Sequence, residues 1–294
     1  MSTRSLTGRF APSPSGPLHF GSLLTAVASY VDARAAGGRW LLRMEDIDPP
    51  REMAGADQRI LHSLEAHGLL WDGAVLYQST RHERYRAVLE DLQARGLVYR
   101  CACTRTRLVA LNRVYDGHCR QHPPPADAPC ALRLQLPAKT FHFADRILGA
   151  QTQHLAETGD CIIHRKDGLF AYQLAVVVDD IEQGVTDVVR GSDILPSTGV
   201  QLYLTELLGG SAPRYAHVPV LLGDDGKKLS KQSFAPALDD SRAASNLYRV
   251  LMLLGQQPPA ELAHETPAGI LKWAIAHWDI AGIAATNAPA RDTR

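Results

Sequence analysis

Two short stretches of the chain combine residue types that suit the binding of a polyphosphate. The first, residues 14–22, places His19 and Gly21 between a strand-like segment and a predicted helix. The N-terminus of a helix presents unpaired N–H groups and the positive end of the helix dipole, which attract phosphate. Gly21 lets a nucleotide approach the backbone, and His19 can donate a hydrogen bond to an α-phosphate oxygen. The alternative is a turn followed by a helix with a surface histidine.

The second stretch, residues 226–232, follows the turn-forming Asp224-Asp225-Gly226 and carries two lysines that are three residues apart, Lys228 and Lys231. On a mobile loop such lysines can cover a triphosphate and neutralise its leaving half. The alternative is a solvated basic loop. Together the two stretches indicate a nucleotide-binding enzyme more strongly than either does alone.

A third set of residues suits an acidic amino acid. A dicarboxylic amino acid needs two cationic groups for its carboxylates and one acceptor for its ammonium, and arginine binds a carboxylate through two parallel hydrogen bonds. Arginines and a glutamate at the ends of predicted strands meet that need. The alternative is that the charged members form structural ion pairs. The set comprises Arg9, Ser13, Glu45, Tyr172 and Arg190.

The cysteines suggest a metal site. Of the five, Cys101, Cys103 and Cys119 are close in the sequence, and without an export signal such a cluster favours metal over disulfides. Three thiolates fit a structural zinc site that needs one further ligand. The candidates for that ligand are Tyr115, His118 and His122, of which a histidine is the more usual. The alternative is three reduced cysteines without metal.

The segments that must position these residues alternate between strand and helix. Apolar residues recur at helical spacing in three segments before residue 100, and Gly37-Gly38 ends the first of them. Strands that alternate with helices form a parallel sheet with helices on its faces, so we predict an α/β fold. The predicted helices include 22–36, 55–67, 82–95, 174–178 and 197–208, and the predicted strands include 9–11, 40–42, 161–164, 185–190 and 217–222.

Residues 100–159 interrupt this alternation, because they hold the clustered cysteines, a run of prolines and only short β-like segments at 132–136 and 141–143. We interpret them as a zinc-containing insertion that divides the catalytic part into halves, 1–99 and 160–235. The remainder, 236–294, is predicted to be a small helical region whose tail, from about Ala284, is disordered.

Composition narrows the class of protein. Hydrophobic residues make up 45% and charged residues 21% of the chain, as in a soluble globular protein. No apolar run approaches the roughly 20 residues of a membrane helix, and the N-terminus lacks a signal-peptide core, so we expect a cytoplasmic protein.

A formal net charge of zero argues mildly against nucleic-acid binding. Arginines opposed by the single acid Asp116 still predict a local basic face: Arg95, Arg100, Arg105, Arg107, Arg113 and Arg120.

The two phosphate-binding stretches resemble a pair of known motifs. His19-Phe20-Gly21-Ser22 and Lys228-Leu229-Ser230-Lys231-Gln232 are similar to the HIGH and KMSKS signatures of class I aminoacyl-tRNA synthetases, with departures at Phe20, Ser22 and Gln232. The stretches RFAPSPSG, RMEDIDPPR, DGLFAYQLAVVVDD and VVRGSD look like the glutamyl branch of that class, over about residues 8–235. This resemblance implies a Rossmann-like catalytic sheet that activates L-glutamate with ATP and Mg²⁺ and transfers it to a tRNA.

The resemblance also implies roles for the residues of the amino-acid set. Arg9 and Arg190 would bind the two carboxylates of glutamate, with Arg9 favoured for the side-chain carboxylate. Tyr172 would line the pocket, and Ser13 and Glu45 would bind the ammonium.

For the nucleotide, the resemblance implies that His19, Gly21, Ser22 and Lys231 bind ATP. His19, Lys228 and Lys231 would stabilise the charge that develops on the phosphates. No protein nucleophile is expected.

The Cys-x-Cys, Tyr, Cys arrangement resembles the zinc site of short paralogues called glutamyl-Q tRNA(Asp) synthetases, which favours Tyr115 as the fourth ligand. After Gln232 only residues 233–294 remain, too few for the anticodon-binding domain of a full glutamyl-tRNA synthetase. The short paralogues esterify glutamate onto the queuosine base in the anticodon of tRNA(Asp), and we expect the same activity here, from a monomer with one structural Zn²⁺. The alternatives are a truncated glutamyl-tRNA synthetase that charges tRNA(Glu) and a non-catalytic RNA-binding paralogue.

Overall fold

A computed structural model describes residues 5–111, 114–222, 236–286 and 288–289. No helix in these ranges is long and apolar enough to cross a membrane. The described strands are β1 Thr7–Phe10, β2 Arg39–Met44, β3 Leu76–Tyr77, β4 Val98–Cys101, β5 Ala131–Leu134, β6 Thr140–Asp145, β7 Gly149–His154, β8 Cys161–His164, β9 Asp187–Gly191, β10 Arg214–Val218, β11 Leu221–Leu222 and β12 Ala288–Pro289. The described α-helices are α1 Phe20–Ala35, α2 Ala56–Ala66, α3 His82–Ala94, α4 Arg105–Ala110, α5 His118–Gln121, α6 Leu155–Thr158, α7 Tyr172–Glu182, α8 Thr198–Leu207, α9 Ala243–Leu253 and α10 Pro267–Ala276.

Two sheets with parallel strands form the catalytic part. The first has the order β1-β2-β3 and is parallel throughout, and the second has the order β7-β6-β10-β9, in which only the β6–β7 pair is antiparallel. The sheets adjoin where the N–H of Thr186 donates to the carbonyl of Thr7 at 2.9 Å. β2 is buried except for its first residue, as a central parallel strand requires. The predicted α/β fold is therefore confirmed.

Helix α1 covers the first sheet and ends as its sequence predicts. The N–H of Gly37 donates to the carbonyl of Arg34 at 3.0 Å, and the N–H of Gly38 donates to that of Ala33 at 2.9 Å. This pair of bonds is the Schellman arrangement at a helix C-terminus. A Cβ at Gly38 would lie 2.4 Å from the carbonyl oxygen of Leu6, so only glycine lets the chain turn closely enough to begin β2.

The segment predicted as an insertion contributes to two sheets. Its strand β5 pairs antiparallel with β4 and with β8, in the order β4-β5-β8, and Cys101 and Cys161 lie on this sheet. Strand β6 instead joins the catalytic sheet beside β10 through Tyr215 and Asp145. Hydrophobic spacing could not distinguish these outcomes, because the partner of a strand depends on tertiary packing.

The C-terminal helices α9 and α10 pack on α1 and share its core, which includes Leu24, Val27, Leu247 and Ile270. Strand β12 pairs in parallel with β11, although a disordered tail is predicted from about Ala284. Residues 287 and 290–294 lie outside the described ranges.

Candidate active site

A cavity of about 190 Å³ opens where β1, β2, β9 and β10 end. Since these strands run in one direction, residues at and after their C-terminal ends meet at one edge, where ligands of open α/β sheets bind. Ser13, by contrast, is exposed and is not among the lining residues. Lys228 and Lys231 lie outside the described residues. The predicted residues that line the cavity are Arg9, His19, Gly21, Ser22, Glu45, Tyr172 and Arg190.

Arg9 is held in the cavity wall by a carboxylate from α7. Its Nε donates to Oδ1 of Asp180 at 3.2 Å, and the fully buried Arg43 of β2 donates to the same oxygen. Burial raises the pKa of Asp180, but the charges of Arg9 and Arg43 outweigh it and bring the pKa below its ordinary value. Asp180 is therefore an anion that fixes Arg9 relative to β2.

Glu45 faces the cavity directly after β2, where its N–H donates to the carbonyl of Pro12 at 3.0 Å. Burial raises the pKa of Glu45 to about 7, against the opposing charges of Arg43 and Arg9. A cation that enters the cavity would stabilise the ionised carboxylate, so Glu45 is well suited to accept an ammonium group.

Arg190 is as buried as Arg9 but has a different environment. Its guanidinium donates to Gln201, Thr198 and His217, all of which are uncharged acceptors when the histidine is neutral. Within the described ranges it has no carboxylate partner at ion-pair distance, unlike Arg9. A buried cation with neutral partners attracts an incoming carboxylate strongly, because little of its charge is compensated.

His19 is the N-cap of α1, and its Nδ1 accepts a hydrogen bond from the N–H of Ser22 at 3.2 Å. Since Nδ1 is the acceptor, the neutral ring carries its proton on Nε2, which lies 3.0 Å from the Ser22 hydroxyl. The first turn of α1 thus combines a histidine donor with a helix N-terminus in the cavity wall, an arrangement that suits phosphate oxygens.

The three clustered cysteines form a candidate metal centre. The sulfur atoms of Cys101, Cys103 and Cys119 lie within 4.8 Å of one another. The Tyr115 hydroxyl oxygen lies 3.5 Å from the sulfur of Cys101 and 3.6 Å from the sulfur of Cys103. Burial raises the pKa of Cys101, but its hydrogen bonds with Tyr115 and Arg133 bring the pKa down to about 7. Three thiols that converge in this way could hold a metal ion, and the phenol beside them is the candidate for the fourth ligand that a structural zinc site requires.

Tyr115 is fixed in this cluster from two sides. The guanidinium of Arg133 lies 3.8 Å from the centre of its ring, and a Cβ at Gly159 would lie 2.5 Å from its backbone nitrogen. The other two candidate ligands, His118 and His122, are exposed and stack on each other with ring centres 4.8 Å apart. The geometry therefore favours Tyr115 over either histidine.

The predicted basic face is smaller than the arginine count suggests. Arg107 pairs with Asp116 at 2.6 Å, and Arg95 pairs with Asp91 at 3.0 Å. Arg120 lies 3.5 Å from Asp160, which is distant in the sequence. Arg113 lies outside the described residues.

An open groove of about 930 Å³ lies between the cysteine cluster and the catalytic part. Four basic residues line the groove: Arg51, Arg105, Arg165 and Lys166. Two acids, Asp48 and Asp167, line it as well, and both pair with Arg165.

Sequence reasoning overlooked three residues of the cavity's support: Asp145, Asp180 and His217. Asp180 is the last residue of a stretch that resembles the glutamyl branch, and this was the one available signal. His217 begins a predicted strand, and Asp145 lies within the segment that we interpret as an insertion, so neither pattern indicates a role.

Comparison with known proteins places these features in one family. Residues 5–262 match the family model of class I tRNA synthetases (E and Q), catalytic domain. A glutamyl-Q tRNA(Asp) synthetase from Pseudomonas aeruginosa is 55% identical over 280 residues, 94% of each chain. One from Pseudomonas putida is 52% identical over 100% of this chain and 98% of its own.

The fold is also found among solved structures. A glutamate tRNA ligase from Elizabethkingia meningosepticum, solved in complex with its amino acid, superposes with a TM-score of 0.81. The match covers 97% of this chain and 67% of the ligase, at 24% identity. A glutamate-tRNA synthetase from Elizabethkingia anophelis gives a TM-score of 0.82.

Proposed function

The chain belongs to the class I glutamyl- and glutaminyl-tRNA synthetase family, and from this premise we propose that it activates L-glutamate with ATP and transfers it to the queuosine base in the anticodon of tRNA(Asp). The observation that carries the proposal is the cavity itself. It joins two buried arginines, a glutamate and the N-terminus of α1 at one edge of the catalytic sheets.

In the first step, a carboxylate oxygen of glutamate attacks the α-phosphorus of ATP, and pyrophosphate leaves. Arg9 and Arg190 bind the two carboxylates, and Glu45 accepts from the ammonium. These contacts orient the amino acid, which is the main source of catalysis when the protein supplies no nucleophile.

The nucleotide lies on the first turn of α1 in this proposal. His19 donates from Nε2 to an α-phosphate oxygen, where negative charge develops in the transition state. Gly21 and Ser22 face the same space, and Lys228 and Lys231 neutralise the departing pyrophosphate. Mg²⁺ enters as the ATP complex and supplies further charge neutralisation.

In the second step, a hydroxyl of the queuosine ring attacks the carbonyl carbon of glutamyl-adenylate, and AMP leaves. The name shared by the relatives from the two Pseudomonas species supports this acceptor. The groove that Arg105 and Lys166 line offers a basic path for the RNA backbone toward the cavity.

One Zn²⁺ bound by Cys101, Cys103, Tyr115 and Cys119 would be structural in this proposal. Four protein ligands leave no open position for catalysis, and the cluster lies at the end of β4 and on α5 rather than in the cavity. Its contribution is to fix one wall of the groove.

Activation is tested by glutamate-dependent exchange of labelled pyrophosphate into ATP. We expect exchange with L-glutamate and much less with L-glutamine or L-aspartate, since each lacks one of the required contacts. Absence of exchange from zinc-replete protein, with and without tRNA, would support a non-catalytic RNA-binding role instead.

Transfer is tested with labelled glutamate and two tRNA pools, from cells that make queuosine and from cells that lack it. Label that requires queuosine and stays with the anticodon fragment after nuclease cleavage of the tRNA supports the proposed acceptor. Label on queuosine-free tRNA(Glu) would identify a truncated charging enzyme.

A further inference from the structure

Three hydrogen bonds fix the orientation of the Arg190 guanidinium. Its Nε donates to Nε2 of His217 at 3.0 Å, and its two terminal nitrogens donate to Gln201 at 2.5 Å and to Thr198 at 2.8 Å. These bonds take one N–H from each nitrogen, and each terminal nitrogen of a guanidinium carries a second N–H. Those second N–H groups can form the two parallel bonds that a carboxylate requires.

The bond to His217 exists only in one state of the imidazole. Nε2 must be unprotonated to accept from Arg190, so the proton of the neutral ring must be on Nδ1. Asp145 provides the partner for that proton, with Oδ2 at 2.6 Å from Nδ1. A ring with its proton on Nε2 would set two donors against each other across 3.0 Å and displace the guanidinium.

Asp145 is itself fixed by the backbone. Its Oδ1 accepts from the N–H groups of Ile147 at 3.0 Å, Leu148 at 2.9 Å and His217 at 3.2 Å. Because Oδ1 has these three donors, Oδ2 is directed at the imidazole. Asp145 and His217 are both buried, so water is a poor substitute for either partner.

We propose that Asp145 and His217 are positioning residues, which select the Nδ1–H tautomer of His217 and thereby orient Arg190 to bind a carboxylate of glutamate. This inference rests on the function proposed above, in which Arg190 binds the amino acid. The carboxylate, the imidazole and the guanidinium come from three neighbouring strands, β6, β10 and β9, so the sheet itself sets their order.

The electrostatics of the site agree with this role. Burial lowers the pKa of His217, the hydrogen bond to Asp145 raises it and the charge of Arg190 lowers it, with a net decrease that keeps the ring neutral. A neutral ring leaves the charge of Arg190 available to the substrate, in contrast to Arg9, which pairs directly with Asp180.

The substitution Asp145→Asn tests the proposal by exchanging one carboxylate oxygen for an amide NH₂ group. The three backbone donors keep the amide oxygen in the place of Oδ1, so the amide NH₂ faces Nδ1 of His217 and forces the proton onto Nε2. We expect the KM for glutamate in pyrophosphate exchange to rise about 10- to 100-fold, as for a buried donor left without an acceptor. The KM for ATP should stay within about twofold, since Asp145 and His217 do not line the ATP side of the cavity.

A matched control is Asp187→Asn. Asp187 is equally buried, lies on β9 three residues before Arg190, and pairs with Arg214 at 2.7 Å rather than with the histidine. It should lose stability without a change in the KM for glutamate. An increase of equal size in both variants would mean that Asp145 has only a structural role, and would overturn the proposal.

Variants of His217 provide a second test that does not depend on the folding of Asp145→Asn. A glutamine amide offers a donor to Asp145 and an acceptor to Arg190 on neighbouring atoms, whereas leucine offers neither. We expect His217→Gln to keep the KM for glutamate within about fivefold and His217→Leu to raise it as much as Asp145→Asn does. Equal effects of Gln and Leu would contradict the proposal.

The tautomer can be read without any activity assay, by long-range ¹H–¹⁵N spectra of the histidine side chains. We expect His217 to carry its proton on Nδ1 in the natural protein and on Nε2 in Asp145→Asn. An Nε2–H tautomer in the natural protein overturns the inference even if the enzyme is active. A protein with the expected tautomer but without glutamate-dependent exchange overturns the proposed function, and with it the role in substrate binding.

Discussion

The glutamate cavity and the cysteine cluster bring polar groups together in opposite ways. The four candidate ligands of the cluster all lie between residues 101 and 119, and the N–H of Cys119 donates to the Tyr115 hydroxyl within that segment, although Arg133 and Gly159 also contact Tyr115. The cavity takes Arg9, Glu45 and Arg190 from different strands, and each is oriented by a residue distant in the sequence. Asp180, for example, reaches Arg9 across 171 positions of the chain.

We therefore expect the two sites to respond differently to substitutions. A change within the cluster should affect one sheet and the groove beside it, while the catalytic sheets keep their geometry. A change at the cavity should act on the amino acid directly, and a change at its supporting residues should act through an arginine. The following predictions, from the largest effect to the smallest, test that separation.

Arg190→Ala should have the largest effect. It removes a buried cation whose partners are all neutral, so the glutamate carboxylate finds no replacement charge. We expect kcat/KM for glutamate in pyrophosphate exchange to fall about 1,000-fold, or about 4 kcal/mol. Zinc content should be unchanged, and loss of zinc together with activity would show that the two sites are coupled.

Cys119→Ala should separate the two steps. We expect stoichiometric zinc to be lost and transfer to tRNA to fall about 100-fold, because one wall of the groove loses its cross-link. Pyrophosphate exchange should change by less than about threefold. Cys130→Ala, a cysteine outside the cluster, serves as the control and should retain zinc. Exchange that falls as much as transfer would contradict the separation.

Glu45 should make the activation of glutamate depend on pH. Its pKa is raised to about 7 by burial, and only the ionised form accepts an ammonium. As pH falls below 7, kcat/KM for glutamate should therefore decrease, approaching about tenfold per pH unit for a single proton. Glu45→Gln should be less active and lose this slope, whereas the exposed Glu65→Gln should keep the natural profile. A slope that persists in Glu45→Gln would assign the titration to another group.

Lys166→Ala should have the smallest effect and should act on transfer only. An exposed lysine that contacts a phosphate contributes modestly, so we expect transfer to fall about threefold and its salt dependence to decrease by about one counterion. Lys272→Ala, an exposed lysine of α10 that does not line the groove, should leave transfer unchanged. Equal salt dependence in both variants would exclude the groove as the RNA path.

Sequence patterns could predict the order of strands and helices and the residues that face the cavity. Arg9 begins a short strand-like segment and Glu45 and Arg190 follow apolar runs, and the parallel topology then requires them to meet. The patterns could not predict Asp180 or the Asp145–His217 pair, because hydrogen bonds between distant segments leave no periodic trace. They also placed β6 with the cysteines, since its pairing with β10 depends on tertiary packing. The basic face was overestimated for the same reason, as Arg120 finds Asp160 only in the fold.

Strand β8 has a consequence for exchanging parts between members of this family. It belongs to the sheet that carries the cysteines, yet only residues 165–171 separate it from α7, which bears Tyr172 and Asp180. The N–H of Ala171 also donates to the carbonyl of Ile163 at 3.0 Å, so the start of α7 is anchored to that strand. A chimera cut at the first and last cysteine of the cluster would keep this anchor, whereas one that removed β5 would leave an unpaired edge on β8. Transplantation of RNA specificity between relatives therefore requires junctions that leave β5 and β8 in place.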